Sequence, residues 1–287
     1  MKVILLAAGF GTRFLPATKA IPKEMLAIID KPLIEYAVEE AISAGAEEII
    51  FITSHTKPAI KKHFSEAPEL EKKLIDSGKI DLLKKIKPEI FTNIKFTYID
   101  QAEQKGLGHA ILLAEKAVGN DVFSVLLPDD LFLSTPTCLQ QILNSYSKNF
   151  QSVIAVNKID KENIHKYGVI DPGDHELDED NTVIVSDIIE KPDAEDAPSD
   201  IAVAGRYIFN TSIFDCIKKV EADGSGEIQI TDAIKLLIQR ENVQAKIFEG
   251  NKYDCGSKEG YLEATIAVAM KEPGFSDKIK KIITDKP

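Results

Sequence analysis

Apolar runs and stretches with helical spacing alternate along the chain from its first residues. Residues 3–8 are apolar without interruption, which is typical of a parallel strand that is buried on both faces of a sheet. After a loop rich in glycine and proline, apolar residues follow helical spacing from Leu33 to Ile42, and Gly45 ends this predicted helix. Residues 49–53 are the next predicted strand. This order predicts a strand–helix–strand unit with parallel strands and a right-handed connection.

The rest of the chain continues this alternation. Its pattern predicts strands over residues 94–99, 122–127, 152–157, 183–189 and 202–209. It predicts a Lys-rich helical excursion on the surface over residues 65–92, and helices over residues 107–118, 231–240 (with Thr231 as the N-cap) and 257–270. The whole pattern favours a Rossmann-like, doubly wound α/β fold whose sheet is mixed but mostly parallel. In such sheets, ligands bind at the carboxyl ends of the strands.

Composition narrows the class of protein. A chain of 287 residues with 44% hydrophobic content is long enough to bury a large core. No run of 18 apolar residues occurs, so we expect no membrane span. The formal net charge of −11 argues against a nucleic acid polymer or an anionic membrane as the partner. Three scattered cysteines without zinc-site spacing, and no signal-peptide pattern, predict a cytoplasmic protein.

Residues 6–16 form a loop of small residues and glycines directly after the first predicted strand. Such a loop lets backbone N–H groups approach a phosphate or a base. It is not a P-loop, and Phe14 occupies the place of the third small residue in a dinucleotide-binding fingerprint. Arg13, Lys19 and Lys23 lie in or just after this loop, on a strongly acidic chain. They favour a polyphosphate site over the alternative of a solvated surface.

A second polar stretch covers residues 101–110. The amide of Gln101 can donate to and accept from the edge of a pyrimidine, and Gly106 allows a base to lie against the backbone. The alternative is a polar loop whose glycines begin a helix. We interpret His109 as a structural residue of that helix.

Charged residues also follow two later strands. Asp129 and Asp130 come directly after an apolar strand, and their oxygens suit Mg²⁺, although a turn or helix cap is the alternative. Glu190 and Lys191 precede Pro192, which ends the strand and holds both at its edge. A solvated surface pair is the commoner meaning of such a Glu-Lys sequence.

Residues 9–26 resemble the signature of the sugar-nucleotide pyrophosphorylases. Within them, the Thr-Lys-Ala-Ile-Pro-Lys-Glu-Met stretch resembles the form found in bacterial UTP–glucose-1-phosphate uridylyltransferases. Ala27 departs from the family pattern, which usually has proline there. Further matches follow in order to about residue 268, so the resemblance covers most of the chain.

The resemblance implies a role for particular residues. Nucleotide contacts are expected from Ala7, Ala8, Gly9, Gly11, Thr12, Gln101 and Gly106. Sugar contacts are expected from Gly168, Glu190 and Gly205. The expected metal ligands are Asp129 and Asp254, with Asp130 as a further candidate, and the expected catalytic residues are Arg13, Lys23 and Lys191.

The resemblance also implies a reaction. UTP and α-D-glucose 1-phosphate would give UDP-glucose and pyrophosphate, with Mg²⁺, through in-line attack of the sugar phosphate on the α-phosphorus of UTP. One domain over residues 1–287 is expected, with about 1–150 mainly for the nucleotide and about 151–270 mainly for the sugar. A homodimer or homotetramer is expected. The alternatives are a glycosyltransferase that uses a UDP-sugar and a non-catalytic nucleotide-sugar sensor.

Overall fold

A computed structural model describes residues 1–284 of the chain. The strands are β1 (Lys2–Leu6), β2 (Ala27–Ile28), β3 (Lys31–Pro32), β4 (Glu48–Thr53), β5 (Lys95–Asp100), β6 (Phe123–Leu126), β7 (Asp130–Leu133), β8 (Ser152–Lys158), β9 (Gly168–Asp171), β10 (Thr182–Ile184), β11 (Asp187–Glu190), β12 (Ile201–Phe209), β13 (Val243–Ile247) and β14 (Asn251–Asp254). The helices are α1 (Leu33–Ser43), α2 (Pro58–His63), α3 (Pro68–Asp76), α4 (Ile80–Ile86), α5 (Gly106–Leu112), α6 (Glu115–Val118), α7 (Cys138–Asn149), α8 (Ser212–Ile217), α9 (Ile230–Ile238), α10 (Lys258–Lys271) and α11 (Ser276–Thr284).

One large sheet organises the fold. Its strand order is β10-β13-β8-β12-β6-β1-β4-β5, and β9, with β11 beside it, pairs with β12. β5, β4, β1, β6, β8 and β13 run in one direction, whereas β12 and β10 run in the other. The predicted doubly wound, mostly parallel mixed sheet is confirmed. None of the helices within residues 1–284 is long and apolar enough to cross a bilayer.

The core lies on both faces of this sheet because alternate side chains of a strand point to opposite faces. Val3 and Leu5 of β1 pack with Phe51 on the face covered by α1 and α7. Ile4 and Ile50 pack on the other face with residues of α5, α8 and α9. The uninterrupted apolar runs in the sequence therefore mark strands covered by helices on both faces.

The structure corrects several predicted elements. The single strand expected over residues 183–189 is two strands, because the N–H of Val185 bonds to Val243 at 2.9 Å and that of Ser186 bonds to Asp171 at 2.8 Å. The helix expected over residues 107–118 is divided into α5 and α6. Among the elements not predicted are β7, β9, β13, β14 and α7. The helical excursion is present as α3 and α4.

The carboxyl ends of β1, β4, β5 and β6 meet at one edge of the sheet, because these strands are parallel neighbours. Backbone hydrogen bonds continue the sheet beyond the strands: the N–H of Ala7 donates to Ile52, and the N–H of Gln101 donates to Thr53, both at 2.7 Å. These bonds fix where each following loop begins. The sequence-predicted loops therefore share one edge.

Candidate active site

The loop after β1 presents free backbone N–H groups at this edge. The N–H groups of residues 8–13 donate no hydrogen bond to any other group within residues 1–284. Gly11 has a φ of 66°, and a Cβ added there would lie 3.1 Å from Cβ of Lys23, so the turn requires glycine. The hydroxyl of Thr18 donates to the carbonyl oxygen of Gly11 at 2.7 Å and closes the turn. A series of free N–H groups is suited to an anionic ligand.

Two side chains bind the carbonyl oxygens at the base of this loop. Lys57 Nζ donates to the carbonyl oxygen of Ala7 at 2.9 Å and to the two carboxylate oxygens of Glu24 at 3.1 and 3.0 Å. Gln104 Nε2 donates to the carbonyl oxygen of Ala8 at 2.7 Å. Burial lowers the pKa of Lys57, and the charge of Glu24 opposes this effect. Sequence reasoning missed Lys57, a single basic residue beyond β4 that carries no motif signal.

Two carboxylates and a guanidinium group converge near the ends of β6 and β14. Asp129 follows β6 by three positions, and Asp254 ends β14, where it pairs in register with Asp130 of β7. A Cβ placed on Gly256 would lie 2.9 Å from Asp254 Oδ1 and 3.2 Å from Asp129 Oδ2, so both carboxylates face one small region. Arg13 Nη1 donates to the carbonyl oxygen of Gly256 at 3.5 Å. Residues expected to bind metal and pyrophosphate therefore lie together.

Lys23 forms an ion pair with Asp129. Burial is the largest influence on the pKa of Asp129 and acts to raise it, but the attraction of Lys23 prevails, so the pKa is lowered. Asp129 therefore stays ionised at neutral pH.

The carboxylate pair fits a Mg²⁺ ion. Within residues 1–284, no group of three or more His, Cys, Asp or Glu side chains has the arrangement of a metal site. Mg²⁺ is usually held by only one or two protein carboxylates, with water and substrate phosphates completing its shell. Asp129 and Asp254, which face the same region, supply that number of ligands.

Asp130 has a different environment. Its Oδ1 lies 3.1 Å from Lys252 Nζ, and burial is the main cause that raises its pKa to about 6. Gly205 has a φ of 81°, and a Cβ added there would lie 2.5 Å from Asp130 Oδ2, so close packing requires glycine. The ammonium of Lys252 also lies 4.8 Å from the centre of the Tyr167 ring. Lys252 therefore links Asp130 to the loop that leads into Gly168. A sugar contact at Gly205 stays a prediction.

The two residues expected to contact the base lie just after β5 and at the start of α5. Gln101 follows β5 and is 4% exposed, and its Nε2 lies 3.1 Å from His109 Nδ1. Gly106 begins α5 with a φ of 88°, and a Cβ added there would lie 2.8 Å from the backbone of Ile228. Packing alone therefore requires glycine at this position. Contact of Gln101 and Gly106 with a base stays a prediction.

Two of the three expected sugar-side residues meet on β9 and β11. Gly168 and Glu190 pair in register, and Oε2 of Glu190 accepts a hydrogen bond from the hydroxyl of Thr231 at 3.1 Å. A Cβ added to Gly168 would lie 2.8 Å from Cγ2 of Thr231. The prediction that Thr231 is the N-cap of its helix is wrong. Gln229 is the N-cap, and the hydroxyl of Thr231 has Glu190 as its partner instead.

Lys191 has an unusual backbone for a non-glycine residue. Its φ is 44°, and its N–H donates to the carbonyl oxygen of Tyr167 at 3.1 Å. Such strained conformations persist where surrounding structure holds them, and they concentrate at functional sites. The ammonium lies 3.1 Å from Glu190 Oε1, and the side chain is 55% exposed. An open cleft of about 610 Å³ has Tyr167, Lys252 and Asp254 in its lining, and Tyr167 is the residue whose carbonyl oxygen accepts from Lys191.

The chain is similar to known proteins over nearly all of its length. The profile of the nucleotidyl transferase family matches residues 2–271. A UTP–glucose-1-phosphate uridylyltransferase of Staphylococcus epidermidis is 45% identical over 283 residues, covering 98% of this chain and 96% of that protein. The protein of the same name from Bacillus subtilis is 44% identical over 279 residues, covering 97% and 94%.

Solved structures agree with these relatives. The crystal structure of a UDP-glucose pyrophosphorylase complexed with UDP-glucose has a TM-score of 0.86 and 43% identity, and the match covers 94% of this chain and 99% of that one. A UTP-bound UGPase from Acinetobacter baumannii has a TM-score of 0.91 and 36% identity, covering 100% and 99%. The family resemblance predicted from residues 9–26 is thereby confirmed. The chain belongs to the nucleotidyl transferase family.

Proposed function

We propose that this chain is a UTP–glucose-1-phosphate uridylyltransferase, which makes UDP-glucose and pyrophosphate from UTP and glucose 1-phosphate. The observation that carries the proposal is the convergence of Arg13, Asp129 and Asp254 beside the free N–H groups of residues 8–13. The relatives named above, at 44 and 45% identity, bear the name of this enzyme. The glycosyltransferase and the non-catalytic sensor are therefore not favoured.

The reaction needs no nucleophile from the protein. An ionised phosphate oxygen of glucose 1-phosphate attacks the α-phosphorus of UTP, the bond to the β-phosphate oxygen breaks, and pyrophosphate leaves with that electron pair. All three cysteines are buried and have free thiols, which suits neither nucleophilic attack nor an oxidising compartment. The protein's task is to position two polyanions and to neutralise their charge.

Three basic residues supply the positive charge for this. Arg13 and Lys23 bind the phosphates that leave as pyrophosphate, since they lie beside Asp129 at the end of the loop of free N–H groups. Lys191 binds the phosphate of the sugar, because its strained backbone fixes it next to Glu190 on β11. Each contact contributes about 3 kcal/mol to the stability of the transition state, the scale of one oxyanion-hole donor.

The remaining residues are assigned to binding of the nucleotide and of the sugar. The nucleotide is bound by backbone groups of the loop after β1, namely Ala7, Ala8, Gly9, Gly11 and Thr12, and its base by Gln101 and Gly106. The sugar is bound by Gly168, Glu190 and Gly205. Residues 1–150 thus serve mainly the nucleotide, and residues 151–270 mainly the sugar.

Enzymes of this family generally use a divalent metal ion, and we assign Mg²⁺ to Asp129 and Asp254. Such an ion supplies charge neutralisation for the phosphates of UTP. Lys23 pairs with Asp129, so an ion held by this carboxylate would compete with Lys23 for it. The phosphates of UTP offer Lys23 a new partner. Asp130 is a weaker candidate, because its Oδ1 pairs with Lys252 and its Oδ2 packs against Gly205, whereas Asp129 and Asp254 face Gly256.

We propose that the chain forms a homodimer or homotetramer in the cytoplasm and that α10 supplies the interface. Leu262, Ile266 and Met270 recur every four residues along α10 and are 59, 41 and 38% exposed. Large apolar side chains in one stripe of a helix are typical of an interface. Light scattering of the wild type and of Leu262→Glu tests this assignment, and a monomeric wild type contradicts it.

The test of the proposed reaction is release of pyrophosphate from UTP plus glucose 1-phosphate. Each other nucleoside triphosphate and each other sugar phosphate is then substituted in turn, and UTP alone is the control for hydrolysis. We expect release that depends on both substrates and is fastest with this pair. Release no faster than from UTP alone contradicts the proposal.

A further inference from the structure

The side-chain amide of Gln101 is held in one orientation. Its backbone N–H donates to the carbonyl oxygen of Thr53 at 2.7 Å, and its side chain is 4% exposed. Its Nε2 lies 3.1 Å from His109 Nδ1. Because an amide NH₂ group only donates, Nδ1 must be the acceptor, so the neutral imidazole carries its proton on Nε2.

The oxygen of this amide remains free. Within residues 1–284, Gln101 Oε1 has no hydrogen-bond partner, and it is not one of the unpaired atoms sealed from solvent. It lies at the end of β5, the same edge of the sheet at which the loop after β1 begins. The orientation of the amide therefore presents a hydrogen-bond acceptor, and not a donor, to a ligand.

We infer that His109 determines base specificity by fixing the amide of Gln101 with its oxygen toward the base. Uracil carries a donor, N3–H, where cytosine carries an unprotonated acceptor nitrogen. An acceptor at Gln101 binds the first and repels the second, and a polar group left unpaired against the wrong base costs affinity. This inference rests on the proposed use of UTP and on Gln101 as a base contact. His109 is a positioning residue, since it acts through Gln101.

Packing of α5 holds His109 in place. The N–H of Gly108 donates to the carbonyl oxygen of Ile228 at 2.8 Å, and a Cβ added to Gly106 or to Gly108 would lie within 2.9 Å of that residue. Burial, and then the charge of Lys105, lower the pKa of His109. The ring therefore stays neutral at pH 7 and keeps the lone pair that accepts from Gln101.

The experiment compares kcat/KM for UTP and for CTP, each with glucose 1-phosphate. His109→Leu removes the acceptor, so the UTP:CTP ratio should fall by about tenfold, the effect of one hydrogen bond. His109→Asn places Oδ1, an acceptor, where Nδ1 lies, so the ratio should stay within about twofold of the wild type. The matched control is His175→Leu, a change at an exposed histidine, which should leave the ratio unaltered.

The outcomes distinguish a failure of the inference from a failure of the proposed function. A wild type that does not use UTP contradicts the proposed function itself. A UTP-specific wild type whose ratio survives in His109→Leu overturns the inference, as does an equal loss in His109→Leu and His109→Asn. If His109→Leu does not fold, ¹⁵N NMR of the wild-type protein tests the inference, because it shows which nitrogen of the His109 imidazole carries the proton. We expect the tautomer protonated on Nε2, and a proton on Nδ1 overturns the inference.

Discussion

Replacement of Arg206 by methionine removes a buried clamp, by which we mean the guanidinium and its hydrogen bonds, beside the loop that contains Asp129. The guanidinium is 1% exposed, and all five of its N–H groups donate. Nε and Nη2 each donate to Glu40 Oε2 at 3.0 Å. The other three bonds reach the carbonyl oxygens of Leu127 at 2.8 Å, Gly205 at 3.1 Å and Asp130 at 2.8 Å. The clamp therefore joins α1, β12 and both ends of the segment that contains the first proposed metal ligand.

The loss of stability follows from what methionine leaves unpaired. Methionine fills much of the same space, but Glu40 remains 7% exposed with one bond, from the N–H of Leu139 at 2.9 Å. Removing one partner of a buried ion pair costs about 3–5 kcal/mol, and the burial of both side chains means that solvent does not screen this pair. We expect the free energy of unfolding to fall by about 4 kcal/mol. For a chain of 287 residues, an unfolding entropy of about 0.6 kcal/mol per kelvin converts this into a Tm lower by about 7 °C.

The assay is thermal unfolding followed by far-ultraviolet circular dichroism, with urea unfolding as a second measurement. The control is Arg240→Met, which changes an exposed arginine and should alter stability by less than about 0.5 kcal/mol. Glu40→Met combined with Arg206→Met should recover more than half of the lost Tm, because it removes the uncompensated charge. A Tm of Arg206→Met within about 2 °C of the wild type would refute the reasoning, since it would mean that Glu40 is solvated without its partner.

Four further substitutions test the proposed site and its packing. Asp254→Asn should lower kcat by about a hundredfold without unfolding the chain, and excess EDTA should stop turnover; full activity in either case rules out the metal site. Lys191→Ala should raise KM for glucose 1-phosphate and lower kcat while calorimetric UTP binding changes little, whereas Glu190→Ala should relax selection among sugar phosphates. Normal turnover of Lys191→Ala would show a solvated surface pair. Gly106→Ala places a Cβ 2.8 Å from the backbone of Ile228 at a φ of 88°, so urea unfolding should show a loss of about 1–3 kcal/mol, and an unchanged midpoint contradicts this packing.

The sequence by itself determined the central strands, the class of fold and the family. β1 from Val3 and β4 from Ile49 to Ile52 are apolar because helices cover both faces of the sheet, and this burial is visible in the local pattern. The loop after β1 was also predictable, because Gly11 and the basic residues beyond it lie within one short segment of the sequence. Strand ends at one edge of a parallel sheet then follow from topology.

Only the tertiary structure decided which charged and polar groups meet. Lys57 and Glu24 lie 33 residues apart, and Arg206 and Glu40 lie 166 residues apart. Nothing in the local sequence distinguishes these buried partners from solvated surface charges. β7 and β14 were missed for the same reason, because two four-residue strands become a sheet only when the chain returns to pair them. A charged side chain is stable inside a protein only with its partner, and that partner is chosen by the fold of distant segments, not by its neighbours in sequence.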